Sequence, residues 1–225
     1  MSDSLPTTEP QADSRPELPE LSALDLAALI ASKVCHDIIS PVGALSNGLE
    51  VLDEGQGQEM DDFAMELIRK SAKSASSKLK FARMAFGASG SAGSAIDSGE
   101  AEEVARLYME SEKPDLTWTG ARTLIPKNRT KLLLNLILVS LGAVPRGGIV
   151  NVRIDGEGEN ATFELRCVGP KARVPGEFLD VLNGTLEGPM NAHAVQPVYA
   201  ALLARDEGLT LSAVAEGEDV VLKAV

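Results

Sequence analysis

Nine apolar residues, Leu24, Ala28, Ala31, Cys35, Ile38, Val42, Leu45, Leu49 and Leu52, follow one another at alternating steps of four and three. In an α-helix those steps form one continuous heptad stripe, which has to be buried against other helices. The spacing predicts a helix from Ser22, a capping residue, to Asp53. Glu54-Gly55-Gln56-Gly57 leaves room only for a tight antiparallel reversal. A second helix is expected from Glu59 to Phe86, with a looser stripe at Met60, Ala64, Ile68, Ser71, Ala75, Leu79, Ala82 and Phe86. Each helix would be roughly 40 Å long at about 1.5 Å per residue. A lone hairpin of that length leaves much of its stripe in water. The expected completion is therefore a homodimer whose two hairpins form a four-helix bundle.

The pattern changes on both sides of the hairpin. Residues 1–21 hold Pro6, Pro10, Pro16 and Pro19 among Ser, Thr, Asp and Glu, and are expected to be a disordered tail with little to bury. The hairpin occupies 22–88. Gly and Ser then dominate 89–99, which reads as a flexible linker. From 100 to 225 the period alternates: helices near Glu100–Glu112, Lys127–Val144, Gly176–Leu182 and Ala192–Arg205. Strands are expected at Leu116–Thr119, Ile149–Ile154, Thr162–Cys167, Leu209–Val214 and Val220–Ala224. Helices segregated to one side of a small mixed sheet make an α/β sandwich, so the whole chain is of the α+β class.

Charge narrows the classes of partner. The formal net charge of −12 argues against nucleic acid, which needs Lys and Arg to neutralise phosphates. Met1-Ser2-Asp3-Ser4 lacks the basic start of a signal peptide. The longest apolar run, Leu132–Val144, is too short to span a bilayer. No membrane partner is expected. Cys35 and Cys167 suit free thiols in a reducing compartment, and the expected localisation is cytoplasmic. His193 and the cysteines show no metal-ligand spacing, and no Gly-rich phosphate loop is present, so neither a metal site nor a cofactor of the chain's own is expected.

Against this background the segment His36-Asp37-Ile38-Ile39-Ser40-Pro41-Val42 is unusual. His36 follows the stripe residue Cys35, so its ring should project from the flank of the bundle. Lys33, three residues before it, and Ser40, four after, neighbour it on the helix surface. A histidine that accepts a phosphoryl group needs an orienting or deprotonating neighbour and screening of the incoming charge. Asp37 supplies the first, with Ser40 as hydrogen-bond donor and Lys33 as cation. Pro41 should bend the helix just past the histidine. Gly43, Ser46 and Asn47 keep the next turns low enough for a partner helix to approach. On the second helix Arg69, Lys70, Lys73, Lys78, Lys80 and Arg83 follow with no acid between them. With the reversal centred near residue 56, this basic run falls opposite His36, and Lys73, Lys80 and Arg83 are candidates for steering an acidic partner.

The same segment resembles the phosphoacceptor box of sensor histidine kinases, in which a His is followed by an acid and, five residues on, a Pro. Asn135-Leu136-Ile137-Leu138-Val139-Ser140 with Val144-Pro145-Arg146-Gly147-Gly148 resembles the Asn box of their ATP-binding domain. Three features of that domain are missing. Val139 stands where the resemblance puts the Mg²⁺-holding Asn. Cys167-Val168-Gly169-Pro170-Lys171 stands where it puts the adenine-reading Asp-x-Gly-x-Gly, and the Gly-rich lid is not recognisable. A kinase-like histidine hairpin ahead of a degenerate ATPase-like domain, with Phe81–Ser89 ending the second helix, resembles the ChpT-type histidine phosphotransferases of alphaproteobacteria. The resemblance implies a homodimer that neither binds nor hydrolyses ATP. It would take a phosphoryl group from the receiver domain of a hybrid histidine kinase, hold it on His36, and pass it to CtrA- and CpdR-like response regulators of the cell cycle. Mg²⁺ would come from the receivers. The alternatives are a divergent ATP-dependent histidine kinase and a non-catalytic dimeric scaffold.

Overall fold

The computed structural model describes residues 18–55, 57–87, 95–188, 190 and 194–225. The disorder expected of residues 1–17, the last hairpin residue 88, linker residues 89–94 and His193 lie outside the described residues. Two long helices come first, α1 (Ala23–Glu54) and α2 (Gln58–Phe86). Ser22 caps α1, its hydroxyl accepting from the Asp25 amide at 3.1 Å, and Gly55 ends it in the left-handed region that a side chain would disfavour. The helix runs without a break through Pro41, which is buried. Gly48 is required where the helices come closest. A Cβ there would lie 2.7 Å from Ile68 Cγ1 and 3.3 Å from the Ala64 carbonyl oxygen.

The rest of the chain folds as β1 (Ala95–Asp97), α3 (Ser98–Met109), β2 (Pro114–Thr119), β3 (Leu124–Pro126), α4 (Lys127–Ala143), β4 (Gly148–Asp155), β5 (Thr162–Val168), α5 (Gly176–Asn183), α6 (Val195–Asp206), β6 (Leu211–Glu216) and β7 (Asp219–Ala224). Five strands form one sheet in the order β2-β4-β5-β7-β6. Only β2 and β4 run parallel. Alternation sets the register: Val150 faces Cys167 and Val152 faces Leu165, all four buried. Against the sheet lies α4, with Leu132, Leu133, Leu134, Leu136 and Ile137 all fully buried. A helix apolar on every side needs cover on every side. Here the sheet, α6, α3 and α2 provide it.

Two sequence expectations change. The linker was placed at 89–99, but residues 95–99 are structured. Ala95–Asp97 pairs antiparallel with Leu124–Pro126, and Asp97 caps α3 through the Gly99 amide at 2.7 Å. Short apolar ribbons between Gly-rich and Pro-containing stretches give too little periodicity to be seen without their partner strand. The second change concerns the hairpin. Phe81 and Ala85 of α2 belong to the same buried cluster as the sheet residues. The end of α2 thus shares its core with the α/β layers.

Candidate functional site

The heptad stripe of α1 divides in two. Ile38, Leu45 and Leu52 turn toward α2, whereas Ala28, Cys35, Val42 and Leu49, at steps of seven, are exposed. On α2, Met65, Ala72 and Leu79, also at steps of seven, are exposed beside them. The result is an apolar strip along the two helices, uncovered among the described residues. By length and apolar composition α1 is the one helix among the described residues that could cross a membrane, and little of it is buried. It packs chiefly on α2, which carries the basic run Arg69 to Arg83, and also touches α6.

His36 lies outside this strip, on the outward face of α1, with 70% of its side chain exposed. Its Nδ1 is 3.8 Å from Asp37 Oδ1, and Nε2 is therefore on the far side of the ring, away from Asp37. The other Asp37 oxygen accepts from the Lys33 ammonium one turn back. Lys33 thus meets the carboxylate, not the imidazole as the spacing suggested, because the i, i+4 step to Asp37 aligns better than the i, i+3 step to His36. Ser40 is exposed on the turn after His36, on the same side of the helix, and Gly43 and Asn47 continue that face. Ser46 is exposed as well, but its hydroxyl is turned back to the Val42 carbonyl at 3.4 Å. A Cβ on Gly43 would meet nothing within 4 Å. An exposed glycine in a helix interior costs about 1 kcal/mol relative to alanine, and no packing within the chain demands it here.

The basic run is only partly as expected. Lys73 pairs with Glu110 and Lys78 with Glu112, both across to the α/β layers. Arg69, Lys80 and Arg83 are exposed. The run is therefore not one cationic field around His36. Sequence spacing places charges along a helix, but their pairing depends on which element packs beside it.

Behind Asp37 the structure assembles residues that no local motif revealed. Asp37, Lys78, Phe81 and Tyr108 line one small cavity of about 10 Å³. Tyr108 is buried in α3, and that burial, with the charges of Glu112 and Asp37 nearby, holds its hydroxyl far above the usual phenol range. It stays a neutral phenol.

A second buried constellation surrounds Asn135. Its amide donates to the Ala85 carbonyl at 3.1 Å and to the Lys131 carbonyl at 2.7 Å, and its oxygen accepts from the Gln196 amide. The side chain is fully buried and links α2, α4 and α6. Val139 and Cys167 are buried too, and burial pushes the Cys167 thiol up to about 12. Among the described residues no group of three or more His, Cys, Asp or Glu is arranged to hold a metal ion.

Residues 98–219 match the family described as the histidine phosphotransferase C-terminal domain. The chain is 52% identical over 205 residues to protein phosphotransferase ChpT of Brucella abortus (strain 2308), covering 91% of this chain and 97% of that one. A solved structure described as a bacterial phosphotransferase superposes with a TM-score of 0.86 at 50% identity, covering 93% of this chain and 100% of that one.

Proposed function

The chain belongs to the histidine phosphotransferase family, and on that premise we propose that His36 is the residue through which it relays phosphoryl groups between receiver-domain aspartates. The observation that carries this reading is the placement of His36: outward, on a rigid helix, with Nδ1 beside a carboxylate that Lys33 already neutralises. Nε2 is then the nucleophile. It attacks the phosphorus of a receiver's aspartyl phosphate in line, the acyl P–O bond breaks, and the aspartate leaves as carboxylate. Oδ1 lies 3.8 Å from Nδ1 and has to draw about 1 Å closer on docking to accept the Nδ1–H hydrogen bond that fixes the tautomer and balances the positive charge developing on the ring. The second transfer is the reverse of the first, onto the aspartate of another receiver. Each receiver's own acidic pocket supplies Mg²⁺.

Docking would use the His36 face. Gly43, Ser40 and Asn47 leave a shallow surface there, and the exposed glycine at 43 suits a partner helix that comes close. Arg69, Lys80 and Arg83 add long-range attraction for acidic receivers. By resemblance the donor is the receiver of a hybrid kinase and the acceptors are CtrA- and CpdR-like regulators.

ATP is not the phosphoryl source in this reading. The Asn135 amide is committed to internal hydrogen bonds, and Val139 and Cys167 are buried apolar replacements for the metal-holding and adenine-reading residues of kinases. The test is to supply radiolabelled phospho-receiver and radiolabelled ATP separately. Label should arrive from the receiver only and be acid-labile and alkali-stable, and Mg-ATP should leave the melting temperature unchanged. Label taken directly from ATP would restore the kinase reading.

The exposed strips at Ala28, Cys35, Val42 and Leu49 and at Met65, Ala72 and Leu79 support a homodimer with a four-helix core. Light scattering should give twice the chain mass. Cys35 lies in the middle of that strip, so its reaction with a thiol reagent should be slow in the dimer and rise on dilution. Cys167 should stay unreactive until the protein unfolds. A chain mass independent of concentration, with Cys35 reacting fast throughout, would sink the dimer.

A further inference from the structure

The α/β layers reach the phosphoacceptor turn from behind. The last turn of α3 carries Tyr108, whose ring packs on Phe81 of α2 with centroids 4.3 Å apart. Lys78 Nζ lies 5.4 Å from the centroid of the Tyr108 ring and 2.9 Å from Glu112 Oε1. Tyr108, Lys78 and Phe81 share with Asp37 and Ile38 the cavity of about 10 Å³, space for no more than about one water. The side chains of Lys33, Asp37, Lys78 and Glu112 are all largely withdrawn from solvent, so their charges act on one another with less screening than surface pairs do. The carboxylate beside His36 thus has one cation bound to it from its own helix and a second on the wall of the same cavity.

We infer that Tyr108 of α3 and Lys78 of α2, the latter held by Glu112, are positioning residues for phosphoryl transfer, bracing the Asp37 turn from behind so that Oδ1 stays beside His36 Nδ1. The inference rests on the reading of His36 as the phosphoacceptor. The domain then contributes to the chemistry without touching the phosphoryl group. Phe81 and Tyr108 fill the space under Asp37 and Ile38 and so prevent the turn from sinking, while Lys78, held by Glu112, keeps positive potential on the inner side of the carboxylate. Removing the ring opens that space. The carboxylate can then follow Lys33 away from the imidazole, and the ring loses the acceptor that fixes its tautomer. Misplacement of a catalytic group by about 1 Å costs on the order of a hundredfold in rate.

The test uses the full chain and a radiophosphorylated receiver domain of a hybrid histidine kinase as donor, with the rate of labelling measured over a range of receiver concentrations. Tyr108→Ala should lower kcat by about ten- to a hundredfold with KM little changed, because the docking face is on the other side of α1. Nitrogen-15 spectra of the His36 ring should change from one dominant tautomer to a mixture. Tyr108→Phe, which keeps the packing, should restore both kcat and the spectrum. Lys78→Met and Glu112→Gln alter partly exposed side chains and carry the test if Tyr108→Ala does not fold. Each should lower kcat, and the charge-reversed pair Lys78→Glu with Glu112→Lys should stay low because it turns a negative charge toward Asp37. Wild-type kcat and tautomer in Tyr108→Ala or Lys78→Met, or a loss confined to KM, would overturn the inference alone. A wild-type protein that takes no acid-labile label would overturn it together with the reading it rests on.

Discussion

Replacing His36 by alanine should reduce receiver-to-protein phosphoryl transfer below detection while moving the melting temperature by no more than about 2 °C. The two halves of that result have separate causes. The ring is mostly exposed and projects from the outer face of α1, so the fold loses little packing when it is removed. Alanine is also the best helix former and suits that position. The chemistry, in contrast, loses the proposed nucleophile, and neither Asp37 nor Ser40 can take its place. Asp37 is turned inward to Lys33, and a serine hydroxyl has no adjacent base of its own here. The measurement is a time course of label in the acid-labile fraction, beside a melt of the same sample. A variant that still accepted the phosphoryl group would refute the assignment of His36, and one that melted far below wild type would show that the histidine also holds the helix.

The largest effect on stability should come from Asn135→Leu. Leucine resembles asparagine in size, but it strands the Ala85 carbonyl and the Gln196 amide, both buried in a junction where three helices meet. A buried polar group left without a partner costs roughly 1–3 kcal/mol. Two such groups should cost about 2–6 kcal/mol, or on the order of 4–24 °C for a protein of this size. Denaturant melts followed at Trp118, in the sheet, and at helix ellipticity should shift together, since α2 contributes Phe81 and Ala85 to the sheet's own core. Transitions that separate into two would mean that Asn135 only docks the hairpin onto an independently stable domain. No loss of stability would mean that the amide contacts are dispensable, and would reopen a nucleotide-binding role for this residue.

Asn135 also shows the limit of a residue pattern as a guide to role. The pattern around it is that of a nucleotide-binding box, and nothing local distinguishes an asparagine that faces a ligand from one that ties two helices together. The distinction is made by Ala85 and Gln196, one fifty residues upstream and the other sixty-one downstream. Lys33 is a parallel case within a single helix. Its closeness to His36 is legible in the spacing, but the binding of its ammonium to Asp37 is not. Of the six basic residues on α2, Lys73 and Lys78 proved to be cross-links to Glu110 and Glu112.

Periodic features were readable because each is imposed by one element on itself. A stripe at steps of three and four fixes a helix and the side it buries, alternation fixes a strand, and a histidine one place past an apolar stripe is turned outward whatever packs on the stripe. The sequence by itself therefore determined the hairpin, the strands of the main sheet and the exposure of His36. Three things were decided only by the tertiary structure: the β1–β3 ribbon, the shared core between α2 and the sheet, and the cavity that Tyr108 and Lys78 share with Asp37. Each joins segments far apart in the chain. Such contacts depend on shape and charge fitting across an interface, and no spacing within either segment records where the other will lie.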